Sequence, residues 1–273
     1  PVSLNINCNF KGINFGQLPT YRDNNITKTI SIGSGSQEDF NISIPVWAFK
    51  GCVALKDLYL GQNVIDIGHQ AFMNCTSLDT LILPSSLTTI QDSVFMNCKS
   101  LRLIDMPNSI TNIGKSAFRS CGTHKSLYLS RSLESIEDYA FNGTNISSLN
   151  IPCCSIGMYA FVECNISDLR IEKNPVTDCD YIPNFHYDSD NLTSLSINNC
   201  NLPGNERFWY KDRLRSVYIG TDLGVDSPTI TLPENAFSSC DNLENVHLGS
   251  NVTIIGNKAF SSCRSLKTVT LSE

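Results

Sequence analysis

The chain has 273 residues, 41% hydrophobic and 17% charged, the composition of a folded protein rather than a disordered one. Its 20 basic residues against 26 acidic ones give a net charge of -6 with no basic run, which argues against nucleic acid as a partner, because phosphate binding relies on clustered Lys and Arg. No apolar run approaches the roughly 20 residues that span a bilayer, and no charged-then-apolar signal segment opens the chain.

Residues 1–25 show a loose apolar alternation, Leu4, Ile6, Cys8, Phe10, Ile13 and Phe15, interrupted by Gly12 and Gly16. This predicts a strand or hairpin that caps the rest of the chain, or the remnant of a preceding segment. From residue 26 onward the chain repeats. Val64, Ile67-Gly68, Ala71-Phe72, Cys75, Leu78, Leu81, Leu83-Pro84 is restated as Leu87, Ile90, Val94-Phe95, Cys98, Leu101, Ile104, Met106-Pro107. The repeat Phe positions are Phe49, Phe72, Phe95, Phe118, Phe141, Phe161, Phe185, Phe208, Phe237 and Phe260, spaced by 23 residues except for single steps of 20, 24 and 29. A period of 23 with Leu-x-x-Leu-x-Leu is the leucine-rich-repeat signature. It predicts a right-handed leucine-rich-repeat solenoid with a curved parallel β-sheet on its concave side. Short helices, turns and a few extra short strands would form its convex side.

Domain organisation then reads as 1–25, the cap or remnant, and 26–273, about ten to eleven units. The chain stops directly after a strand triplet, so the last unit is expected to be incomplete at its C-terminus. Two longer units share a layout of strand, Gly, polar loop and an alternating run ending in Pro, at Ile42-Ser43-Ile44-Pro45 and Ile230-Thr231-Leu232-Pro233. Each predicts an extra convex strand.

Cys52, Cys75, Cys98, Cys121, Cys164, Cys240 and Cys263 each follow a repeat Phe by three residues. One repeated inward site reads as small buried hydrophobes, because equivalent side chains in a row point in parallel while disulfide geometry is specific. Whether Cys153, Cys154, Cys179 or Cys200 pair is left open by the sequence.

The units written Ile113-Gly114, Ala117-Phe118, Cys121 and Ile255-Gly256, Ala259-Phe260, Cys263 resemble the BspA-like (Treponema pallidum type) leucine-rich repeat, over about residues 26–273. The resemblance implies a bacterial cell-surface or secreted protein with a role in adhesion and binding of host proteins; surface proteins of parasitic protists carry the same repeat.

Chemistry finds little support. Four histidines lie on four different units, and no Ser-His-Asp, His-Glu-x-x-His, Cys-x-x-Cys or Gly-rich phosphate pattern occurs. The reading is therefore of no enzyme, no cofactor and no metal. Asp178, Asp180, His186, Asp188 and Asp190 could serve a hard cation, but they lack the spacing of a calcium loop and read as a solvated loop. His124 stands where other units have the first Leu of the strand phrase and reads as a tolerated, partly buried histidine.

Outward side chains of the strands make the better site. Strand side chains alternate, so the middle residues Tyr59, Ile82, Asp105, Tyr128, Asn150, Arg170, Tyr218 and His247 form a row on the concave face. A second row containing Asp57, Thr80 and Leu103 lies beside it. Tyr and Arg are enriched at binding hot spots. The predicted function is a non-enzymatic surface or secreted module that adheres to a host or other cell-surface protein or glycan. The alternatives are a spacer presenting another domain, or an enzyme or metal-binding protein.

Overall fold

The computed structural model describes residues 2–6, 23, 25–33, 41–152, 154–173, 191–198, 200, 212–221 and 229–272. The chain is a parallel-strand solenoid of about nine turns. It divides into two compact bodies, one of Pro1–Ile146 with Ser155–Cys164, the other of Ser147–Cys154 with Asn165–Glu273.

In the first body the strands Val2–Ile6, Thr27–Ile32, Asp57–Leu60, Thr80–Ile82 and Leu103–Asp105 pair in that order, every pair parallel. The strand Val2–Ile6 thus joins the sheet as a further parallel strand beside Thr27–Ile32, and residues 7–22 lie outside the described residues. In the second body, parallel pairing runs from residues 148–152 through Asp168–Glu172, Ser194–Asn198, Ser216–Ile219 and Asn245–Leu248 to Thr268–Leu271. Alternation fixes the faces: Leu169 and Ile171 are buried while Arg170 between them is exposed, and Leu195, Ile197, Val217 and Ile219 follow the same rule. At the terminal strand the alternation loses its meaning, and Val269 and Leu271 are both exposed.

The opposite wall carries a second set of short strands. Ile42–Ile44 pairs with Val64–Ile67 and Ile230–Leu232 with Val252–Ile255, both with the same register shift, so the two longer units do share the predicted extra strand. The feature is more general than the sequence suggests. Thr89–Ile90, Asn112–Ile113, Ser135–Ile136 and Ser155–Ile156 form a parallel ladder at the same place in their own units.

The predicted short helices are absent from the described residues, and the backbone shows why. Each unit places two left-handed residues four apart on this wall: Gln70 and Asn74, Ser93 and Asn97, Ser116 and Ser120, Tyr139 and Gly143. A helix tolerates no such interruption. Alternate N–H groups therefore leave their own unit. Phe49 N donates to Ala71 O at 2.8 Å and Gly51 N to Met73 O at 2.7 Å, whereas Lys50 N and Cys52 N donate back three residues to Trp47 O and Phe49 O. The pattern repeats from Phe72, Phe95, Phe118, Phe141 and Phe237. Turns joined by between-unit hydrogen bonds replace the helix.

The packing interior follows from the repeat. Phe49, Phe72, Phe95, Phe118, Phe141 and Phe161 are fully buried in the first body, stacked 5.2 to 5.7 Å apart with nearly parallel rings. Phe237 and Phe260 repeat the contact at 5.6 Å in the second. Close approach between units also explains the Ile-Gly pair: a Cβ on Gly68 would stand 2.6 Å from the Val46 backbone nitrogen, nearer than any side chain tolerates.

The cysteine column does more than fill space. Cys75 Sγ donates to Phe49 O, Cys98 to Phe72 O, Cys121 to Phe95 O and Cys263 to Phe237 O, at 3.2 to 3.4 Å. Cys164 does so to Phe141 O at 3.1 Å. Thr144 takes the place of a cysteine and donates its hydroxyl to Phe118 O at 2.6 Å, which identifies the need of the site as a small donor. Burial pushes these thiols up, Cys121 to about 12 and Cys75 and Cys98 well above the ordinary thiol range. At about 12 a thiol holds ~a thousandth of the thiolate of one near 9. Iodoacetamide should accordingly label half-buried Cys263 first and leave Cys75, Cys98 and Cys121 unmodified until denaturant is added, as peptide mapping would show. Equal labelling in native protein would contradict the S–H donor role. Cys154 is buried. Cys200, whose pairing the sequence leaves open, is disulfide-bonded; Cys153 and Cys179 lie outside the described residues.

Candidate functional site

The outward side chains divide between the two bodies and differ in chemistry. On the first, Tyr59 is 57% exposed, Ile82 55%, Leu103 56% and Tyr128 67%. Ile82 lies opposite Asp105, and Leu103 opposite Thr80. Tyr128 ends the strand Thr123–Tyr128, which lies beside Leu103–Asp105. The result is an apolar row across neighbouring strands, with Asp105 its charged member and Leu103 beside it. The sequence places Leu103 in the flanking row, and its exposure makes it a full participant.

On the second body the face is polar. Registers place Asn150, Arg170, Ser196, Tyr218, His247 and Thr270 side by side on successive strands. Asn150 is half-buried and donates to Glu172 at 3.4 Å. Arg170 Nε lies 3.5 Å from Asp168 Oδ2, and Asp168 also accepts from Ser148 Oγ at 3.1 Å. Tyr218 and His247 are half-buried and stacked, ring centroids 4.3 Å apart and 14° from parallel. Ser272 Oγ lies 3.3 Å from His247 Nε2. A depression of about 990 Å3 runs over this face from Asp168 to Thr270. The eight residues proposed from sequence thus split three ways: Tyr59, Ile82 and Tyr128 join an apolar row beside Asp105, Arg170, Tyr218 and His247 line the polar depression, and Asn150 lies beside it.

Other candidates fare differently. His124 is buried, with Nε2 lacking a hydrogen-bond partner. Burial holds its imidazole below the ordinary value, opposed by a hydrogen bond with the Arg102 backbone. A histidine enclosed in this way has no access to a substrate. Asp178, Asp180, His186, Asp188 and Asp190 lie outside the described residues. No helix among the described residues is long and apolar enough to cross a membrane.

A feature that the repeat pattern does not single out lies on the turn wall of the first body. Tyr139 and Tyr159 stack at 5.2 Å, and the Arg119 guanidinium lies 5.7 Å from the Tyr139 ring centre. Both tyrosines adopt left-handed backbone, at φ 59° and 57°. The available signal was two aromatics in the same column of consecutive units.

No curated protein matches the chain. Among solved structures, a leucine-rich repeat protein from Bacteroides ovatus is 21% identical, covering 91% of this chain and 73% of its own, with a TM-score of 0.48. One from Eubacterium ventriosum is 13% identical, covering 80% and 73%, with a TM-score of 0.39. The pneumococcal vaccine antigen PcpA is 17% identical, covering 90% of this chain and 63% of its own, with a TM-score of 0.35. The BspA type leucine rich repeat region matches in six copies, over residues 42–164, 153–226 and 230–273. Such scaffolds are typically non-enzymatic and point to a binding or adhesion-type role. With its stacked phenylalanines, thiol column and parallel strands reproduced along matched residues that make up most of its length, the chain belongs to the BspA type leucine-rich repeat family.

Proposed function

We propose that the chain is a non-enzymatic binding module, secreted or displayed on a cell surface, that engages a partner on a host or neighbouring cell through its strand faces. The observation that carries this reading is the group Tyr59, Ile82, Leu103 and Tyr128, more than half exposed on strands that no other described element covers. Single exposed apolar residues are ordinary. Four neighbouring ones on adjacent strands form a patch, and patches of this kind mark interaction sites. Adhesion fits the family, and a repetitive scaffold suits it, because the packing residues are fixed from unit to unit while the outward ones vary.

The test is cell binding by labelled protein. Tyr59→Ser, Ile82→Ser and Tyr128→Ser combined should reduce binding to host epithelial cells at least ~tenfold, given hot-spot energies of ~2 kcal/mol or more, without lowering the melting temperature. Lys115→Ala, on the turn wall, should leave binding unchanged. Retained binding in the triple variant would defeat the proposal.

A further inference from the structure

The second body's face holds a slot. Arg170, Ser196 and Tyr218 stand in register on three adjacent strands. Strands lie 4.7–4.9 Å apart, so the backbone positions that carry Arg170 and Tyr218 are separated by about 9.5 Å. Between them Ser196 carries nothing larger than a hydroxyl, and all three residues line the 990 Å3 depression. Its floor is made of short groups that both donate and accept: Ser194, Ser196 and Asn198 on one strand, Ser216 on the next. Parts of it are already oriented. Ser196 Oγ donates to Asn198 Oδ1 at 3.5 Å, and Asp168 holds Arg170 Nε at the same distance. On the far side the Tyr218 ring is braced against the His247 imidazole.

Charge narrows the ligand. Asp168 and Glu172 balance Arg170 and Lys173 among the described lining residues, so the slot offers no net attraction to an anion or a cation. Its lining mixes polar and apolar surface, which suits an amphipathic ligand better than a purely apolar anchor. A peptide strand would need an open sheet edge or side-chain pockets, and the strands Ser194–Asn198 and Ser216–Ile219 are paired on both sides. What remains is a ligand rich in hydroxyls, uncharged, and with an apolar ring face to lay against an aromatic wall.

We infer that the slot between Arg170 and Tyr218 binds an uncharged oligosaccharide, one sugar ring seated over Ser196. This rests on the strand faces being the binding surface, and it assigns a ligand class to one of them. The hydroxyls of the sugar exchange hydrogen bonds with Ser194, Ser196, Asn198 and the Arg170 guanidinium, while its C–H face covers part of Tyr218.

An array of neutral and acidic oligosaccharides, followed by calorimetric titration of the best neutral tetrasaccharide, tests the inference. Saturable binding to at least one neutral probe is expected. Ser196→Arg, which fills the slot from an outward position, should abolish it. Tyr218→Ala should weaken it at least tenfold, and Tyr218→Phe should retain it; melting curves confirm that each variant is folded. Binding to acidic probes alone, no saturable neutral probe, or binding indifferent to Ser196→Arg would each overturn the inference. If the array fails while cell binding still depends on Tyr59, Ile82 and Tyr128, the strand-face reading stands and the sugar assignment falls. Loss of neither with any strand-face variant removes both.

Discussion

Phe95→Ala should lower stability by about 3–5 kcal/mol, the usual cost of emptying a fully buried phenylalanine site. The ring of Phe95 is 5.7 Å from Phe72 and 5.5 Å from Phe118, with no exposed surface. Its removal leaves a gap with stacked partners on both sides, and the surrounding backbone cannot close it, because the Phe95 N–H is tied to Ala117 O and its neighbours Ser93 and Asn97 to Lys115 O and Arg119 O. In a solenoid each unit touches only the next, so the damage falls on two interfaces at once. Thermal melting followed by circular dichroism should show a drop of roughly 10 °C. Phe260→Ala is the informative comparison. Phe260 is half-buried and stacks on Phe237, so its loss should cost less than half as much. Equal losses would show that the stack is not what joins the units.

His124→Leu should act in the opposite direction. Other units place Leu55, Leu78 and Leu101 at this position, each fully buried, and the histidine brings a buried Nε2 without a partner. Leaving a buried polar group unsatisfied costs about 1–3 kcal/mol, most of which leucine should recover. The substitution should also change the pH profile. Burial lowers the folded-state pKa of His124, so below the unfolded value of about 6.5 the unfolded chain binds a proton that the folded chain does not. Stability then rises with pH across that window. It is fully present above about 6.5, and it declines as pH falls towards the depressed folded value by up to ~1.4 kcal/mol per pH unit. Urea titrations between pH 7 and 5 should show this decline in the wild type and a shallower one in His124→Leu. Parallel profiles would mean that the imidazole is protonated in place.

The inward half of this molecule is legible in the sequence because packing repeats. A phenylalanine every 23 residues, an alanine before it and a cysteine three after it can occupy one column only if the units stack, and the buried residues follow that pattern from Phe49 to Phe161. What carries no such signal is backbone conformation. The left-handed column holds Trp47, Gln70, Ser93, Ser116, Tyr139 and Tyr159, types with no shared preference for positive φ, because hydrogen bonds to the next unit impose the conformation. Turns stand where helices are expected for that reason. On the strand faces, alternation marks the outward residues correctly, Tyr59, Ile82 and Tyr128 among them. Their lateral neighbours are harder to see. Leu103, opposite Thr80 in the flanking row, is as exposed as Ile82, and Arg170 stands across Ser196 from Tyr218 two strands away.

The turn wall also has a consequence for how such a chain can vary. From Phe49 to Phe260, wherever the wall is described, the Cys or Thr144 of each unit lies three positions after its phenylalanine. The step of 20 residues from Phe141 to Phe161 is taken up elsewhere, in the segment joining strand to wall. One added residue inside the wall would exchange the N–H groups that point along the unit with those that point across it, and every bond to the next unit would miss its carbonyl. The same residue added in a connector would disturb none of them. A gene for this fold can therefore lengthen, shorten or duplicate its units freely at the connectors, while the short wall motif acts as the reading frame to which each new unit must be aligned.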